Sequence, residues 1–284
     1  MAEIWKGQPV ADKLNEKMKE DIAALAAKGV TPTLAIVRVG EKASDISYEK
    51  GAIKRSETVG VAIKHILLPA DIAQDVFIAQ IKELNADSSV HGILVFRPLP
   101  EQLDDRILRE TLLPEKDVDG ITPGSLGTAM AGGVGPGFSP CTAQAVMEIL
   151  DFYEVDVKGK DVTVIGNSLV VGLPLTNLLS ARFATVSNCH IFTKDVPAKA
   201  KSAEILISAA GKAGLVSAKH MSEGQIIIDV GINFTPEGKM CGDVTFADAE
   251  AIAKAATPVP GGVGSVTTGV LVSHVVEAAK RAAK

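Results

Sequence analysis

Three cysteines in 284 residues, Cys141, Cys189 and Cys241, are odd in number and far apart, and none forms a CxxC pair. That scarcity excludes a disulfide framework and leaves zinc no paired thiolates, so no metal site is expected. A basic surplus is missing too: 29 Lys and Arg face 34 Asp and Glu, for a net charge of -5. Nothing in that balance draws the chain to nucleic acid or to an anionic membrane surface. Long apolar runs are also absent. The longest, Val162 to Leu179, is broken by Gly166, Asn167, Ser168, Gly172 and Pro174, which a membrane span would not carry in mid-segment. The opening residues MAEIWKGQPVADKL lack a basic segment followed by an apolar one, so no secretory signal is expected and a cytoplasmic protein follows. No internal repeat or low-complexity tract is evident.

What is present is ordinary globular composition, 46% apolar and 22% charged, in a chain long enough for one large domain or two modest ones. Helical and strand-like segments alternate. Val10, Leu14, Met18, Ile22 and Leu25 recur at helical spacing, with Gly29 as a stop signal. Strands are expected at Thr33–Val39, Val61–Leu68, Gly92–Phe96, Val162–Ile165, Thr185–His190, Ile205–Ala209 and Ile226–Val230. Helices are expected at 44–58, 74–84, 142–153, 173–180 and 268–283. Helices able to cross between parallel strands imply an α/β architecture. Residues 120–140 are rich in Gly, Ser and Pro and read as a long loop, and a second such cluster fills 257–269.

The most informative local feature is the apolar strand Val162–Ile165 running into Gly166-Asn167-Ser168, with a helix opening near Gly172 and Pro174. Glycines let a backbone approach a pyrophosphate, and a helix N-terminus offers it free N–H groups and a positive dipole end. The GxGxxG spacing is absent, so a tight strand–helix turn without a ligand stands beside that reading.

Several further segments resemble the methylenetetrahydrofolate dehydrogenase/methenyltetrahydrofolate cyclohydrolase family. They are Ser44 with Tyr48, Gly92-Ile93-Leu94-Val95 with Pro98-Leu99-Pro100, and Pro114-Glu115-Lys116-Asp117-Val118-Asp119-Gly120. Pro140-Cys141-Thr142, the Gly166 turn, Asp229-Val230-Gly231-Ile232-Asn233, Gly242-Asp243-Val244 and Thr257 through Gly264 follow in order. The resemblance implies two α/β lobes with a cleft between them. Residues 1–140 with the final helix (267–284) would form the folate lobe, and 141–266 a Rossmann-type NAD(P)-binding lobe. It implies a homodimer that oxidises 5,10-methylenetetrahydrofolate to the 5,10-methenyl form with NAD(P). Many members then hydrolyse that product to 10-formyltetrahydrofolate.

On the same resemblance, Tyr48 and Asp119 are the catalytic candidates, and Asp119 would hold the pterin's amidine-like edge. Tyr48, Arg97, Pro98, Leu99, Asp119, Pro260, Gly261 and Gly262 would bind substrate. Gly166, Asn167, Ser168, Val171, Gly172, Ile191, Gly231, Ile232 and Thr268 would bind the cofactor. NADP-using members carry an arginine after the first glycine of the turn and a serine after the strand's Cys-His. Here those positions are Asn167 and Ile191, which favours NAD, with NADP the alternative if Lys194 substitutes. His190 reads as structural, and Cys141 as a small packed residue with no neighbouring base.

One departure narrows the chemistry. The family motif Tyr-x-x-x-Lys meets Ala52 where the lysine belongs, and the glutamine that partners it is replaced by Phe96, followed by Arg97. Losing a hydride from a carbon between two nitrogens gives a stabilised amidinium directly, so that step needs mainly positioning. Hydrolysis needs activated water and proton transfer, where a base is worth roughly 10²–10⁴-fold. The expectation is therefore a dehydrogenase spared and a cyclohydrolase crippled, with a separate cyclohydrolase in the pathway. Lys50 and Lys54 do not share the Tyr48 face one turn on. Arg97 could repel the cation or bind folate's carboxylates, and is a poor base. A bifunctional enzyme with a relocated base and a non-catalytic folate- or nucleotide-binding paralogue are the competing readings.

Overall fold

A computed structural model describes all residues, 1–284. The strands, in chain order, are β1 (Glu3–Ile4), β2 (Thr33–Val39), β3 (Ala62–Leu68), β4 (Gly92–Val95), β5 (Asp161–Ile165) and β6 (Thr185–Cys189). Then come β7 (Ile205–Ser208), β8 (Ile226–Asp229), β9 (Asn233–Phe234), β10 (Met240–Cys241) and β11 (Ala255–Ala256). The helices begin with α1 (Gly7–Ala26), α2 (Ala43–Val59), α3 (Gln74–Ala86), α4 (Asp105–Thr111) and α5 (Pro123–Met130). The rest are α6 (Cys141–Phe152), α7 (Gly172–Ala181), α8 (Val196–Ser202), α9 (Phe246–Ile252) and α10 (Gly264–Ala282).

The chain forms two compact units, and each holds its own parallel sheet. One comprises residues 1–12, 129–134 and 142–267, and its six strands lie in the order β1-β11-β8-β7-β5-β6. The other comprises 13–128, 135–141 and 268–284, with three strands in the order β3-β2-β4. The amino terminus differs from expectation: Glu3 pairs with Ala255 and Ile4 with Ala256, so the first residues belong to the six-stranded sheet. The unit boundaries at Asp12 and Thr267 fall inside α1 and α10.

Burial explains which strands were readable. The interior strands β7 and β8 are buried at every position, as parallel strands covered on both faces must be. In the smaller sheet β2 runs buried from Leu34 to Val39. Edge strands β3 and β6 mix exposed and covered positions. Beneath the smaller sheet, Ala35, Val37, Ile93 and Val95 pack on Phe77, Ile81 and Leu84 of α3 and on Leu108 of α4. The larger unit has its own core, including Ile165, Leu206, Val216, Ile227 and Ala256.

Two expectations need correction. The Gly/Pro-rich stretch at 120–140 is not all loop, because Pro123 opens α5, a position where its missing N–H costs nothing. The last helix begins at Gly264, four residues before Thr268.

Candidate functional site

Each unit has a point where successive connections leave in opposite directions. β5 feeds α7 and then β6 on one side, and β6 returns through α8 to β7 on the other. Ligands of open α/β sheets bind at such a switch point, beyond the carboxyl ends of the strands. A cavity of about 770 Å³ lies there. Ile165, Gly166, Asn167 and Ser168 line it after β5, Cys189 through Thr193 after β6, and Ala209, Ala210 and Lys212 after β7.

The turn after β5 is built for close approach. Gly166 has φ 130, and a Cβ on Gly172 would stand 1.9 Å from the Gly166 carbonyl oxygen, so the turn can close only on glycine. Asn188 donates through Nδ2 to the Gly166 carbonyl at 2.8 Å, tying the turn to β6. The Ser168 Oγ accepts from the Val171 N–H at 3.1 Å. This cradle and the start of α7 suit a dinucleotide's pyrophosphate.

Of the expected cofactor residues, Gly166, Asn167, Ser168 and Ile191 line this cavity; Val171, Gly172, Gly231, Ile232 and Thr268 do not. Val171 and Gly172 lie in the adjoining turn and helix start. Thr268 belongs to the smaller unit, where Gly51 is its neighbour. Lys194 is exposed and outside the cavity, whereas Lys212 lines it. His190 also lines it, with its Nδ1 accepting from the Phe192 N–H at 3.2 Å. Phe192, Lys212 and Ala210 were not legible as site residues; the signal that finds them is position just after β6 and β7 at the switch point.

Asp243, fully buried, ties this rim together. Its Oδ2 accepts from Ser208 Oγ at 3.0 Å, Ala210 N–H at 2.6 Å and Gly211 N–H at 3.2 Å. Its Oδ1 accepts from the Lys212 N–H at 2.9 Å and from Asn233 Nδ2 at 3.0 Å. Neighbouring Asp229 is pushed up to about 6 by burial, against three backbone N–H groups that hold it down. Replacing Asp243 by Asn turns an NH₂ towards N–H donors, and each unpaired buried donor costs about 1–3 kcal/mol. Asp243→Asn is expected to lower the melting temperature by about 5–10 °C and raise KM for the dinucleotide. Thermal unfolding and initial rates check both.

The smaller unit repeats the switch-point logic at β2, which feeds α2 towards β3 on one side while α3 returns to β4 on the other. Tyr48 lies on α2, and Phe96 and Arg97 directly follow β4. The Phe96 ring meets Tyr48 edge-on at 5.9 Å. Ala52 is fully buried, on the stripe of α2 that also carries Asp45, Glu49, Ser56 and Val59. Lys50 and Lys54 are both exposed.

Arg97 is held two-pronged by Asp105, with Nη2 to Oδ2 at 2.9 Å, and Arg109 meets the same carboxylate at 2.9 Å. Its charge also favours ionised Asp119. Pro98 and Leu99 continue the same segment, while Pro260, Gly261 and Gly262 fall in the larger unit. A buried pair that sequence reasoning missed anchors Tyr48's helix: Arg38 Nε lies 3.1 Å from Glu49 Oε2, and His65 contacts the same carboxylate.

Asp119 follows the edge of β4, where Asp117 bridges to Ile93. The Asp117 carboxylate accepts the N–H groups of Gly120, Ile121 and Thr122 at 3.0, 3.1 and 2.7 Å, closing the loop. Burial, and then the Asp117 charge, push the Asp119 carboxyl up to about 7. Cys141 does have basic neighbours, His274 Nδ1 at 3.8 Å and the Asp119 carboxyl, contrary to the sequence reading. Burial and the Asp119 charge nevertheless raise its thiol well above the ordinary range, so it is not a nucleophile. No group of His, Cys, Asp and Glu is arranged to hold a metal ion, and no helix is long and apolar enough to cross a membrane.

A glycine cradle at the switch point of a parallel sheet, in a chain that also carries a second parallel α/β unit, defines a Rossmann-type dinucleotide-binding protein. Residues 140–283 match the family described as tetrahydrofolate dehydrogenase/cyclohydrolase, NAD(P)-binding domain, and residues 5–119 match its catalytic domain. The chain belongs to this family, and with it to the methylenetetrahydrofolate dehydrogenases. It is 50% identical to the bifunctional protein FolD of Alkaliphilus metalliredigens, over 99% of both chains. The solved bifunctional FolD of Campylobacter jejuni superposes with a TM-score of 0.95 at 38% identity, over 99% of both chains. A Trypanosoma brucei FolD solved with NADP and an inhibitor gives 0.92 at 33% identity, over 99% of this chain and 98% of that one.

Proposed function

We propose that the chain oxidises 5,10-methylenetetrahydrofolate to the 5,10-methenyl form by hydride transfer to NAD in preference to NADP, and hydrolyses the product only weakly. The observation that carries the dehydrogenase reading is the glycine cradle at the β5 switch point, lined by Gly166, Asn167 and Ser168. When bound, the oxidised nicotinamide accepts the hydride. Residues 141–266 would hold the cofactor, with Gly231 and Ile232 near its rim, and 1–140 with the last helix would hold folate through Tyr48, Asp119 and the Arg97–Leu99 segment. Pro260, Gly261 and Gly262 would approach the substrate. The methylene carbon needs no proton removed, so these residues orient it and exclude water.

Weak hydrolysis is supported by Ala52 and Phe96: an apolar pair stands beside Tyr48 where water activation would need a polar one. The relatives' names support the opposite reading more directly. The Alkaliphilus protein is named bifunctional, and on that ground the chain would also make 10-formyltetrahydrofolate with no separate cyclohydrolase. Asp119 favours this second reading, because a carboxyl at about 7 is matched to general-base work at neutral pH. Following methenyltetrahydrofolate decay with purified enzyme separates the two: acceleration matching the dehydrogenation rate overturns the weak-hydrolysis reading. Failure to reduce either dinucleotide in the presence of methylenetetrahydrofolate would make the chain a binding paralogue. A cytoplasmic homodimer completes the reading, and sedimentation tests the dimer.

The pterin-binding role of Asp119 has its own signature. Ionised, the carboxylate accepts two N–H bonds; protonated, it loses acceptor capacity. KM for the folate is therefore expected to rise as pH falls below about 7. Asp119→Asn should flatten that profile. Asp119→Ala is expected to lower kcat/KM about ten- to one hundredfold, as a charged hydrogen bond is lost. A wild-type value in Asp119→Ala would remove the residue from the site.

A further inference from the structure

We propose that His274 is a positioning residue for Asp119, acting through the carbonyl oxygen of Val118. The inference rests on the reading above that Asp119 binds the pterin. Val118 is fully buried, and its carbonyl accepts from His274 Nδ1 at 2.8 Å and from Cys141 Sγ at 3.1 Å. A carbonyl brings no proton, so the imidazole must carry its hydrogen on Nδ1. Burial pushes His274 down to about 4, which keeps the ring neutral at any working pH. The Cys141 thiol lies 3.8 Å from His274 Nδ1 and also hydrogen-bonds the Asp119 carboxyl directly, so the route through Val118 alone belongs to His274.

That oxygen matters because the peptide unit is planar. Fixing the Val118 carbonyl fixes the nitrogen and Cα of Asp119 in the same plane, and with them the origin of the Asp119 side chain. The loop is then held from two directions. Asp117 gathers the N–H groups of Gly120, Ile121 and Thr122 on one side, and α10 holds Val118 on the other. The imidazole is itself located. It stacks on Phe138 at 4.8 Å, and the Arg281 guanidinium lies 4.5 Å over that same ring. His274 and Arg281 are seven residues apart on α10, hence on one face. Around His274 the helix is apolar, with Val270, Leu271, Val275 and Val276 all buried. An imidazole there has one polar task, the Val118 carbonyl.

The test separates the donor from the bulk. His274→Leu keeps much of the volume and removes the N–H; His274→Asn places an amide N–H near the position of Nδ1. His274→Leu is expected to raise KM for methylenetetrahydrofolate about tenfold, with KM for NAD unchanged within about twofold, while His274→Asn stays within about threefold of wild type. His274→Phe, which keeps a ring stacked on Phe138 and removes the N–H, is expected to raise the folate KM about tenfold as well, and it serves if His274→Leu does not fold. A wild-type folate KM in His274→Leu overturns the inference. So does a loss shared equally by both substrates that Asn does not rescue, which is the mark of general destabilisation. Asp119→Ala is run alongside. If it leaves the folate KM unchanged, the pterin-binding reading fails. If it raises that KM while His274→Leu does not, only the present inference fails.

Discussion

Ala52→Lys combined with Phe96→Gln is expected to raise enzyme-dependent hydrolysis of 5,10-methenyltetrahydrofolate by about 10²–10⁴-fold, the range a positioned base supplies. The two changes are needed together. Ala52 is fully buried one helical turn on from Tyr48, which the Phe96 ring meets edge-on, so a lysine there alone gains no polar partner from position 96. Glutamine at 96 removes that ring and offers an amide oxygen to the new amine. Glu49, one turn before position 52, is already occupied by Arg38 and His65 and so does not capture the lysine. Dehydrogenation should remain within a few-fold of wild type, because positioning of the carbon depends on other residues. Single-turnover decay of the methenyl form, with and without enzyme, reads the gain. No gain in a folded, dehydrogenase-active double variant would show that positions 52 and 96 do not govern hydrolysis.

The second large effect concerns the dinucleotide. Asn167→Arg with Ile191→Ser is expected to shift the ratio of kcat/KM for NADP over NAD by about 10³-fold, since each new bond to a phosphate is worth about 1.5–3 kcal/mol. Both positions line the cavity at the ends of β5 and β6. Ile191 and Phe192 are 91% and 83% exposed there, an apolar rim with no donor to offer a ribose phosphate. Lys194 is exposed and does not line the cavity. Parallel rate measurements with both dinucleotides decide the matter. A wild-type enzyme that already prefers NADP would point to Lys212, the cation the cavity does contain.

Much of the scaffold was visible in the sequence, for reasons that also explain the rest. β2 was placed at Thr33–Val39 with both ends correct because its β-branched and apolar run Leu34–Val37 with Val39 is what an interior parallel strand requires, even with Arg38 within it. β1 and β11 were invisible: each has two residues, and Ala255-Ala256 carries no strand preference. α5 hid in a Gly/Pro-rich stretch whose proline starts a helix instead of ending one. The Gly166 turn was legible because its chemistry sits in one contiguous motif, whereas Asp119 was singled out only through its match to a family motif. His274 was not, since a lone histidine in a valine-rich helix reads as core. Its partner Val118 lies 156 residues away, and no local pattern links them. Arg38 and Glu49 were missed for a related reason, as each belongs to a different element and only the fold makes them a pair.

The pairing of β1 with β11 has a consequence in time. Glu3 and Ile4 are synthesised long before their partners Ala255 and Ala256. At about 5–20 residues per second, the amino terminus waits at least roughly ten seconds for its place in the sheet. β8 is itself made only late in that interval, and until β11 emerges, roughly one to five seconds at the same rate, its outer edge has no cover. Such an unpaired edge is a template for wrong partners. Slowing translation between the codons for β8 and those for β11 should therefore lower the yield of native protein more than slowing it before β8.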